Sequence, residues 1–375
     1  MEVVKIGKSN QKLMNIAMFL QRFDEPVSIY DFVTAPEVAS YWLDLNVDAQ
    51  PYLGEELFPA ERQVGMDIEW FKGQAGAPVA LRPSALDVQA IPRDRKAFDK
   101  MSTEMAFYKE SYYIDEKLRQ ELLKVMGSSN QDFINNILSR IFDDVADLLR
   151  AARLRLELNR MELLSTGLVT VEGNGQNPQW DYGFDEDHKF DAAIDWADAD
   201  SDPIDDLETA IAKIETDTGV KPTRIVFNNS VMTQLRKNAM VLSNVTGGNN
   251  TNIKIGIEDV KNYLIGYLGI DSILVYTNRY TDIDGAVKPF IADDTVILLP
   301  PERLGTTWMG TTPEEADLLS NQTAAANVSI VDNGVAITTT TETDPVTVVT
   351  KVSMMSAPTY ENMDKVGILK TVVTP

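Results

Sequence analysis

The side chains that most often perform catalysis near neutral pH are almost absent from this chain. Its 375 residues contain no cysteine and a single histidine, His188. Thiolate nucleophiles, cysteine-based zinc sites and disulfides are therefore excluded, and a catalytic triad would need that one imidazole. Because acidic residues flank His188, we expect it to be an exposed ion-pair partner. The sequence predicts no catalytic residue, no metal ligand and no cofactor, and the chain is expected not to be an enzyme.

One acidic triplet has the spacing of a calcium loop without its other ligands. Asp198, Asp200 and Asp202 would occupy the first, third and fifth positions, but Pro203 stands where the loop needs glycine. Asp202 is better explained as a helix N-cap, with Pro203 at the first helical position. The pattern therefore predicts a capped helix and no metal site.

The acidic residues leave one enzymatic alternative open. Fourteen Asp or Glu residues lie between Asp181 and Asp217, against only Lys189 and Lys213. Paired carboxylates can cleave glycosides without a histidine. A carboxylate-based hydrolase is therefore an alternative, and it requires a cleft that holds two of these side chains.

Composition predicts a globular, strongly acidic protein. The chain is 44% hydrophobic, and its length suggests about two or three domains. The formal net charge of −23 argues against sequence-independent binding to nucleic acid, because few phosphates could be neutralised. We also expect no membrane span, since no segment approaches about 20 apolar residues.

The first part of the chain predicts an arm followed by a β-ribbon. Prolines interrupt residues 1–54, which favours an extended arm with one short helix. From Val64 to Trp70 every second residue is apolar, the period of a strand with one buried face. Residues 73–78 then predict a turn and residues 86–90 a returning strand. An isolated ribbon is marginally stable in water, so this one needs another surface to lie on.

The strongest helical pattern covers residues 131–164, where apolar residues recur at three- and four-residue spacing. Ser128 or Ser129 is placed to cap its start, and Gly167 follows its end. A helix of this length spans roughly 50 Å. We therefore expect a strut that is long for a globular protein.

The second half predicts a compact α/β unit and then a β-rich tail. The expected elements of the unit are helices at 203–216, 230–238 and 257–268 and strands at 224–227, 273–276 and 295–299. In the tail, Asn333-Gly334 predicts a type I′ hairpin turn. Strands near 346–355 and 366–373 are expected to complete the tail.

Several stretches of this second half carry a family resemblance. They are residues 202–207 (DPIDDL), 219–227 (GVKPTRIVF), 290–298 (FIADDTVIL) with 305–310 (GTTWMG), and 353–358 (SMMSAP). In their order, with the arm, ribbon and long helix before them, they resemble the major capsid proteins of tailed bacteriophages. The similarity is greatest to the lambda phage major head protein family, whose members have the Hong Kong 97 fold.

This resemblance implies an α+β fold of the Hong Kong 97 type and a structural role. It implies an N-terminal arm over 1–54, an extended loop over 55–100, a peripheral domain over 101–166 and 310–375, and an axial domain over 167–309. Copies of the chain would form pentamers and hexamers in an icosahedral head that encloses double-stranded DNA without sequence-specific binding. The implied location is the virion, assembled in the cytoplasm of a bacterial host. The implied partners are a separate scaffold protein, a portal and a decoration protein.

The ribbon supplies the contact residues that we predict between copies. Its basic cluster is expected to meet acidic surface on a neighbour, which would set register more than affinity. The predicted inter-subunit contact residues are Trp70, Arg82, Arg93, Arg95 and Lys96. An encapsulin-like bacterial compartment shell has the same fold and is the alternative from another class of function.

Overall fold

The computed structural model describes residues 33–45, 51–72, 99–114, 131–171, 179–248, 253–282, 284–319, 327–344 and 346–373, with 116–117, 120–121 and 124. Numbered in chain order, the helices are α1 (Ala35–Leu45), α2 (Leu53–Leu57), α3 (Gln131–Thr166), α4 (Pro203–Thr218), α5 (Asn229–Lys237), α6 (Ala239–Thr246), α7 (Ile257–Leu268) and α8 (Pro313–Leu319). The strands are β1 (Ala60–Arg62), β2 (Asp67–Lys72), β3 (Asp99–Glu104), β4 (Ala106–Ile114), β5 (Leu168–Thr170), β6 (Gln179–Asp181), β7 (Lys189–Asp191), β8 (Arg224–Phe227), β9 (Ser272–Val275), β10 (Arg279–Thr281), β11 (Val287–Pro289), β12 (Thr295–Leu299), β13 (Thr307–Met309), β14 (Asn327–Val331), β15 (Val335–Thr343), β16 (Val346–Pro358) and β17 (Gly367–Lys370).

Helix α3 is the long element that the apolar spacing predicts. It has 36 residues, so it spans about 54 Å, and it ends two residues beyond the predicted limit. Gly167, with a φ of +76°, donates its N–H to the carbonyl of Leu163 and closes the helix. The predicted caps at its start, Ser128 and Ser129, lie outside the described residues. From Ile141 onward its apolar stripe is largely buried.

One sheet packs on the first half of α3. Its strand order is β1-β13-β16-β15-β14, and β4 also pairs with β16 along most of its length. Ile337, Val348 and Val352 from this sheet form a core with Phe142 of α3. Helix α1 covers the β14 side of the same core through Trp42. The one short helix expected in the arm corresponds to α1, and α2 begins at the end of the arm, at Leu53.

A second sheet forms the α/β unit, with strand order β7-β17-β12-β8-β9. Strands β8 and β9 run parallel, and α5, α6 and α7 connect them. Helix α4 is capped as predicted: the Asp202 carboxylate accepts the N–H groups of Ile204 and Asp205, and Gly219 ends the helix with a φ of +74°. The strands predicted at 224–227 and 295–299 are present with those bounds.

The ribbon begins later than its sequence pattern predicts. Strand β2 starts at Asp67, and Val64 is 88% exposed. Gly65 has a φ of +104°, which is incompatible with a strand, so the alternation at Val64 does not continue into β2. β2 pairs with β3 from Asp67 opposite Glu104. The predicted turn at 73–78 and return at 86–90 lie outside the described residues.

Two expectations for the tail are corrected. The last strand, β17, pairs with β12 and β7, so it completes the α/β sheet and not the tail. Ile368 and Leu369 are buried in that unit, which explains the pairing. The predicted hairpin is present, but Asp332 and Asn333 are its central residues, with φ of 46° and 62°. Its turn bond runs from the Gly334 N–H to the carbonyl of Val331, one residue earlier than predicted.

Candidate assembly surfaces

Trp70, the one predicted contact residue that the structure describes, lies at the base of the ribbon. Its ring packs on Tyr182 with centroids 5.4 Å apart, and only 7% of the residue is exposed. Trp70 therefore contacts its own chain and fixes the base of the ribbon against the α3–β6 region. Its contact with a neighbouring copy remains a prediction. The other predicted contact residues, Arg82, Arg93, Arg95 and Lys96, lie outside the described residues.

A buried ion pair joins α3 to three other parts of the chain. Glu157 and Arg160 lie one helical turn apart, with 4.0 Å between Oε2 and Nη1, and both are almost fully buried. The Gly54 N–H donates to both carboxylate oxygens at 3.1 Å, and the Tyr276 hydroxyl donates to Oε1 at 2.8 Å. Nε of Arg160 donates to Oγ1 of Thr307 at 2.8 Å. This pair ties α2, β13 and the α/β unit to one point on α3.

Burial dominates the electrostatics of this pair. It raises the pKa of Glu157, against hydrogen bonds from Tyr276 and Gly54 and the charge of Arg160. Burial likewise lowers the pKa of Arg160, against the charge of Glu157. The site also requires glycine at position 54, because a Cβ there would lie 2.4 Å from Oε2 of Glu157. The junction is close-packed as well as charged.

Sequence reasoning missed this junction, although a signal was available. Arg160 occupies a position in the buried stripe of α3, between Leu156 and Leu163. A cation at such a position predicts a buried partner, because an unpaired charge there would cost several kcal/mol. The partner at Glu157 is local and could have been named, whereas Gly54 and Tyr276 are distant in sequence.

Helix α1 is fixed to the long helix by a second polar cluster. Arg153 donates from Nε and Nη2 to the two carboxylate oxygens of Asp332 at 2.7 and 2.8 Å. The Trp42 indole N–H donates to the same carboxylate at 3.0 Å, and the Arg153 guanidinium lies 5.0 Å from the Trp42 ring centroid. Asp332 is therefore held in its left-handed conformation, which explains why the hairpin turn is centred one residue early.

One edge of the first sheet is open. β4 pairs with β16, and within the described residues no strand pairs with its other edge. Tyr112 and Tyr113 are both exposed, Tyr113 by 63%, whereas Ile114 at the end of the strand is buried. A cavity of about 520 Å³ lies beside the strand, between Leu148–Leu158 of α3 and the β10–β11 hairpin.

The single histidine is buried, not exposed as expected. His188 is 2% exposed, and its Nε2 lies 3.4 Å from Oδ2 of Asp217 on α4. The Asp185 carboxylate accepts the N–H of Asp187 and starts a short 3₁₀ turn that brings the imidazole against α4. The hydrogen bond from Lys213 lowers the pKa of Asp217. This cluster connects the turn to α4.

The fourteen acidic residues of 181–217 lie on the surface. Twelve are exposed, and the other two, Asp202 and Asp206, are half-buried. Asp202 caps α4, and Asp206 accepts from the indole N–H of Trp196 at 2.8 Å. The cleft with two carboxylates that a hydrolase requires is not formed by this segment. Among the described residues, no group of three or more His, Asp or Glu is placed to hold a metal ion.

None of the described helices is both long enough and apolar enough to cross a membrane, and α3 itself carries many charged residues.

Comparison with known proteins shows which family and which solved structures the chain resembles. The family model of phage major capsid protein E matches residues 35–358. A phage-related protein from Bordetella bronchiseptica RB50 has a similar structure, with a TM-score of 0.52 at 14% identity over 92% of this chain and 99% of its own. A protein assigned as the capsid protein of a prophage of E. coli CFT073 gives a TM-score of 0.54 at 16% identity over 91% and 99%. None of the curated protein sequences compared with the chain matches it.

The two structural similarities show the fold, and the family model shows the family. The chain belongs to the phage major capsid protein E family. The α+β fold of the Hong Kong 97 type predicted from the sequence is confirmed, and so is the role of a capsid shell protein. The encapsulin-like shell and the hydrolase gain no support from these comparisons.

Proposed function

We propose that this capsid protein assembles into the icosahedral head shell of a tailed phage and encloses double-stranded DNA. The observation that carries the proposal is the family match over residues 35–358, which spans α1, the long helix, the first sheet and all of the second sheet except β17. The net charge of −23 supports a shell that holds DNA by enclosure, since its surface repels phosphates.

The domain division is part of the proposal. Residues 1–54 are the arm, 55–100 the extended loop, 101–166 with 310–375 the peripheral domain, and 167–309 the axial domain that meets its copies around fivefold and sixfold axes. Strand pairing supports one refinement. Gly367–Lys370 pairs with β12 and β7, so we assign it to the axial domain.

The ribbon is proposed to reach a neighbouring copy. Arg82, Arg93, Arg95 and Lys96 supply its positive charge, and the exposed carboxylates of 181–217 offer an acidic surface on the next subunit. Trp70 fixes the base of the ribbon within its own chain and so sets its direction. A separate scaffold protein, a portal and a decoration protein are the proposed partners, with assembly in the bacterial cytoplasm.

Light scattering and electron microscopy of the purified protein, alone and co-expressed with its scaffold, test the proposal. We expect closed shells of uniform size. The variant Arg93→Glu, Arg95→Glu, Lys96→Glu should stay folded and fail to close shells. The matched control, Arg93→Lys with Arg95→Lys, keeps the charge and should assemble. Monomers under every condition would refute the shell function, whereas normal shells from the Glu variant would refute only the ribbon contact.

A further inference from the structure

The cavity beside β4 lies between two parts of the subunit. Residues of α3, β4 and β16 line it together with Tyr280–Asp282 of the β10–β11 hairpin. That hairpin lies in the chain between β9 and β12 of the α/β unit. The cavity volume of about 520 Å³ is in the range of small-molecule sites. A molecule bound here would therefore contact the first sheet, the long helix and the hairpin at once.

Part of the lining is apolar and remains in contact with water. Leu154 and Leu158 of α3 are half-buried, and they pack against the core that joins α3 to the α/β unit. Leu148, Val352 and Met354 add buried apolar surface to the same lining. Apolar surface in contact with water is stabilised when a hydrocarbon group covers it. The lining thus favours an occupant with a hydrocarbon part.

Two cations of the same lining lie on aromatic rings. The Arg155 guanidinium is 6.0 Å from the Tyr108 ring centroid, and Nζ of Lys109 is 5.6 Å from that of Phe107. Neither cation forms an ion pair with a carboxylate among the described residues. The rings hold both charges without neutralising them.

The carboxylates of the lining do not cancel this positive charge. Glu110 and Asp282 also line the cavity, but Asp282 already pairs with Lys288. Two cations therefore remain against one carboxylate, although the whole chain has a net charge of −23. A local positive excess in an acidic protein selects an anionic group.

We propose that this cavity binds a long-chain carboxylate, with its head group at Arg155 and its hydrocarbon chain along Leu154 and Leu158. Lys109 adds to the positive charge that meets the head group. The bound molecule would hold the β10–β11 hairpin to the first sheet and so stabilise the folded subunit. The inference goes beyond the shell function and does not depend on it, because every residue of the site belongs to one subunit.

Isothermal titration calorimetry of the purified subunit with decanoate tests the site. We expect a Kd below about 1 mM. The midpoint of thermal unfolding should rise as decanoate is added, because a ligand that binds only the folded state stabilises it. Octanoate, which is two methylenes shorter, should bind about tenfold more weakly, since each buried methylene favours binding.

A cationic probe with the same chain separates the site from general adsorption. Decyltrimethylammonium has the hydrocarbon chain of decanoate and a positive head group. The net charge of −23 attracts this probe to the rest of the surface and repels decanoate. We nevertheless expect it to bind at least about tenfold more weakly than decanoate, because the cavity offers the head group two cations.

Substitutions at the head and at the chain should both weaken binding. Arg155→Gln should raise the Kd for decanoate about tenfold, whereas Arg155→Lys keeps the charge and should retain most of the affinity. Ala151 is exposed on α3 and lines the cavity, so Ala151→Phe should fill part of the space that the chain needs. Arg150→Gln, on the same helix outside the lining, is the matched control and should leave the Kd unchanged. Thermal unfolding without ligand shows that each variant is folded.

Each outcome decides for or against the site. Equal binding of decanoate and the cationic probe would show adsorption to the surface and overturn the proposal. Equal binding to wild type, Arg155→Gln and Ala151→Phe would overturn it as well, and so would an absence of binding near about 1 mM. A capped peptide of alternating leucine and glutamate that displaces decanoate and binds more tightly would show that the cavity accepts a protein segment, which also overturns the proposal. Shell assembly is measured separately, so none of these results bears on the shell function.

Discussion

At the scale of single residues, a substitution of Glu157 removes several buried interactions at once. The Glu157 carboxylate accepts two bonds from Gly54 and one from Tyr276, and it is the buried counter-charge of Arg160. Glu157→Ala should therefore lower the free energy of unfolding by about 3–5 kcal/mol, because it leaves the arginine unpaired. Urea unfolding followed by tryptophan fluorescence, at one fixed subunit concentration, measures the change.

The matched control for that variant is Glu215→Ala on the exposed face of α4. A surface change of this kind should alter the free energy of unfolding by less than about 0.5 kcal/mol. Equal losses from both variants would show that the buried pair does not hold α2 and the α/β unit to α3.

Glu314 makes stability depend on pH. Burial alone would raise its pKa, but hydrogen bonds from Lys351 and Ser353 outweigh burial and hold the pKa below the usual 4.5. A lowered pKa in the folded state contributes stability above the unfolded value, and that contribution is lost as pH falls through the folded value. Glu314→Gln should thus be less stable than wild type near pH 7 by about 1 kcal/mol, with the gap closing below pH 4.5.

Thermal unfolding of both proteins between pH 3 and 7 tests this prediction. Glu302→Gln is the control, because Glu302 is half-exposed in its pair with Lys365 and such pairs contribute little. A stability difference between wild type and Glu314→Gln that stays constant across this pH range would show that Glu314 does not cause the pH dependence.

At the scale of elements, α1 should depend on Arg153. The guanidinium binds Asp332 through two bonds and stacks on Trp42, so it connects α3, the β14–β15 turn and α1. Arg153→Ala should remove about 2 kcal/mol, which would speed hydrogen exchange across Ala35–Leu45 about 30-fold if α1 opens locally. Arg150→Ala removes an exposed pair on the same helix and should leave exchange in α1 unchanged. Equal protection of α1 in both variants would refute this role.

Elements set by local rules could be predicted from the sequence, and those set by distant partners could not. α3 and α4 follow from apolar spacing and from caps such as Asp202 and Gly219, which act within one turn. The place of β17 depends on β12, some seventy residues earlier, and no local pattern encodes that pairing. His188 was expected at the surface because its neighbours are acidic, yet the 3₁₀ turn carries it inward against α4.

The same limit applies to the assembly surfaces. Trp70 was predicted as a contact with another copy, and only the fold shows that it is buried in its own chain with its ring packed on Tyr182. The β4 edge was not predicted at all, because strand periodicity shows which residues alternate but not which edge remains unpaired. Open edges become visible only when the sheet order is known.

At the scale of the whole molecule, charge should keep the shell from binding its contents. With a net charge of −23, the protein should show no measurable binding to a random duplex even near 50 mM salt, where basic proteins bind most strongly. Fluorescence anisotropy of a labelled 30-base-pair duplex measures this. Micromolar binding that weakens steeply with added salt would show that the protein has a phosphate-binding surface and would refute this prediction.

Cryo-electron microscopy of the assembled product shows whether the protein forms a shell and how its subunits are arranged there. We expect hollow icosahedral particles in which the α/β units surround the fivefold and sixfold axes and helix α3, about 54 Å long, lies in the wall. Protein that stays monomeric with its scaffold present would refute this expectation. So would particles in which the sheet that packs on α3, and not the α/β unit, surrounds the axes.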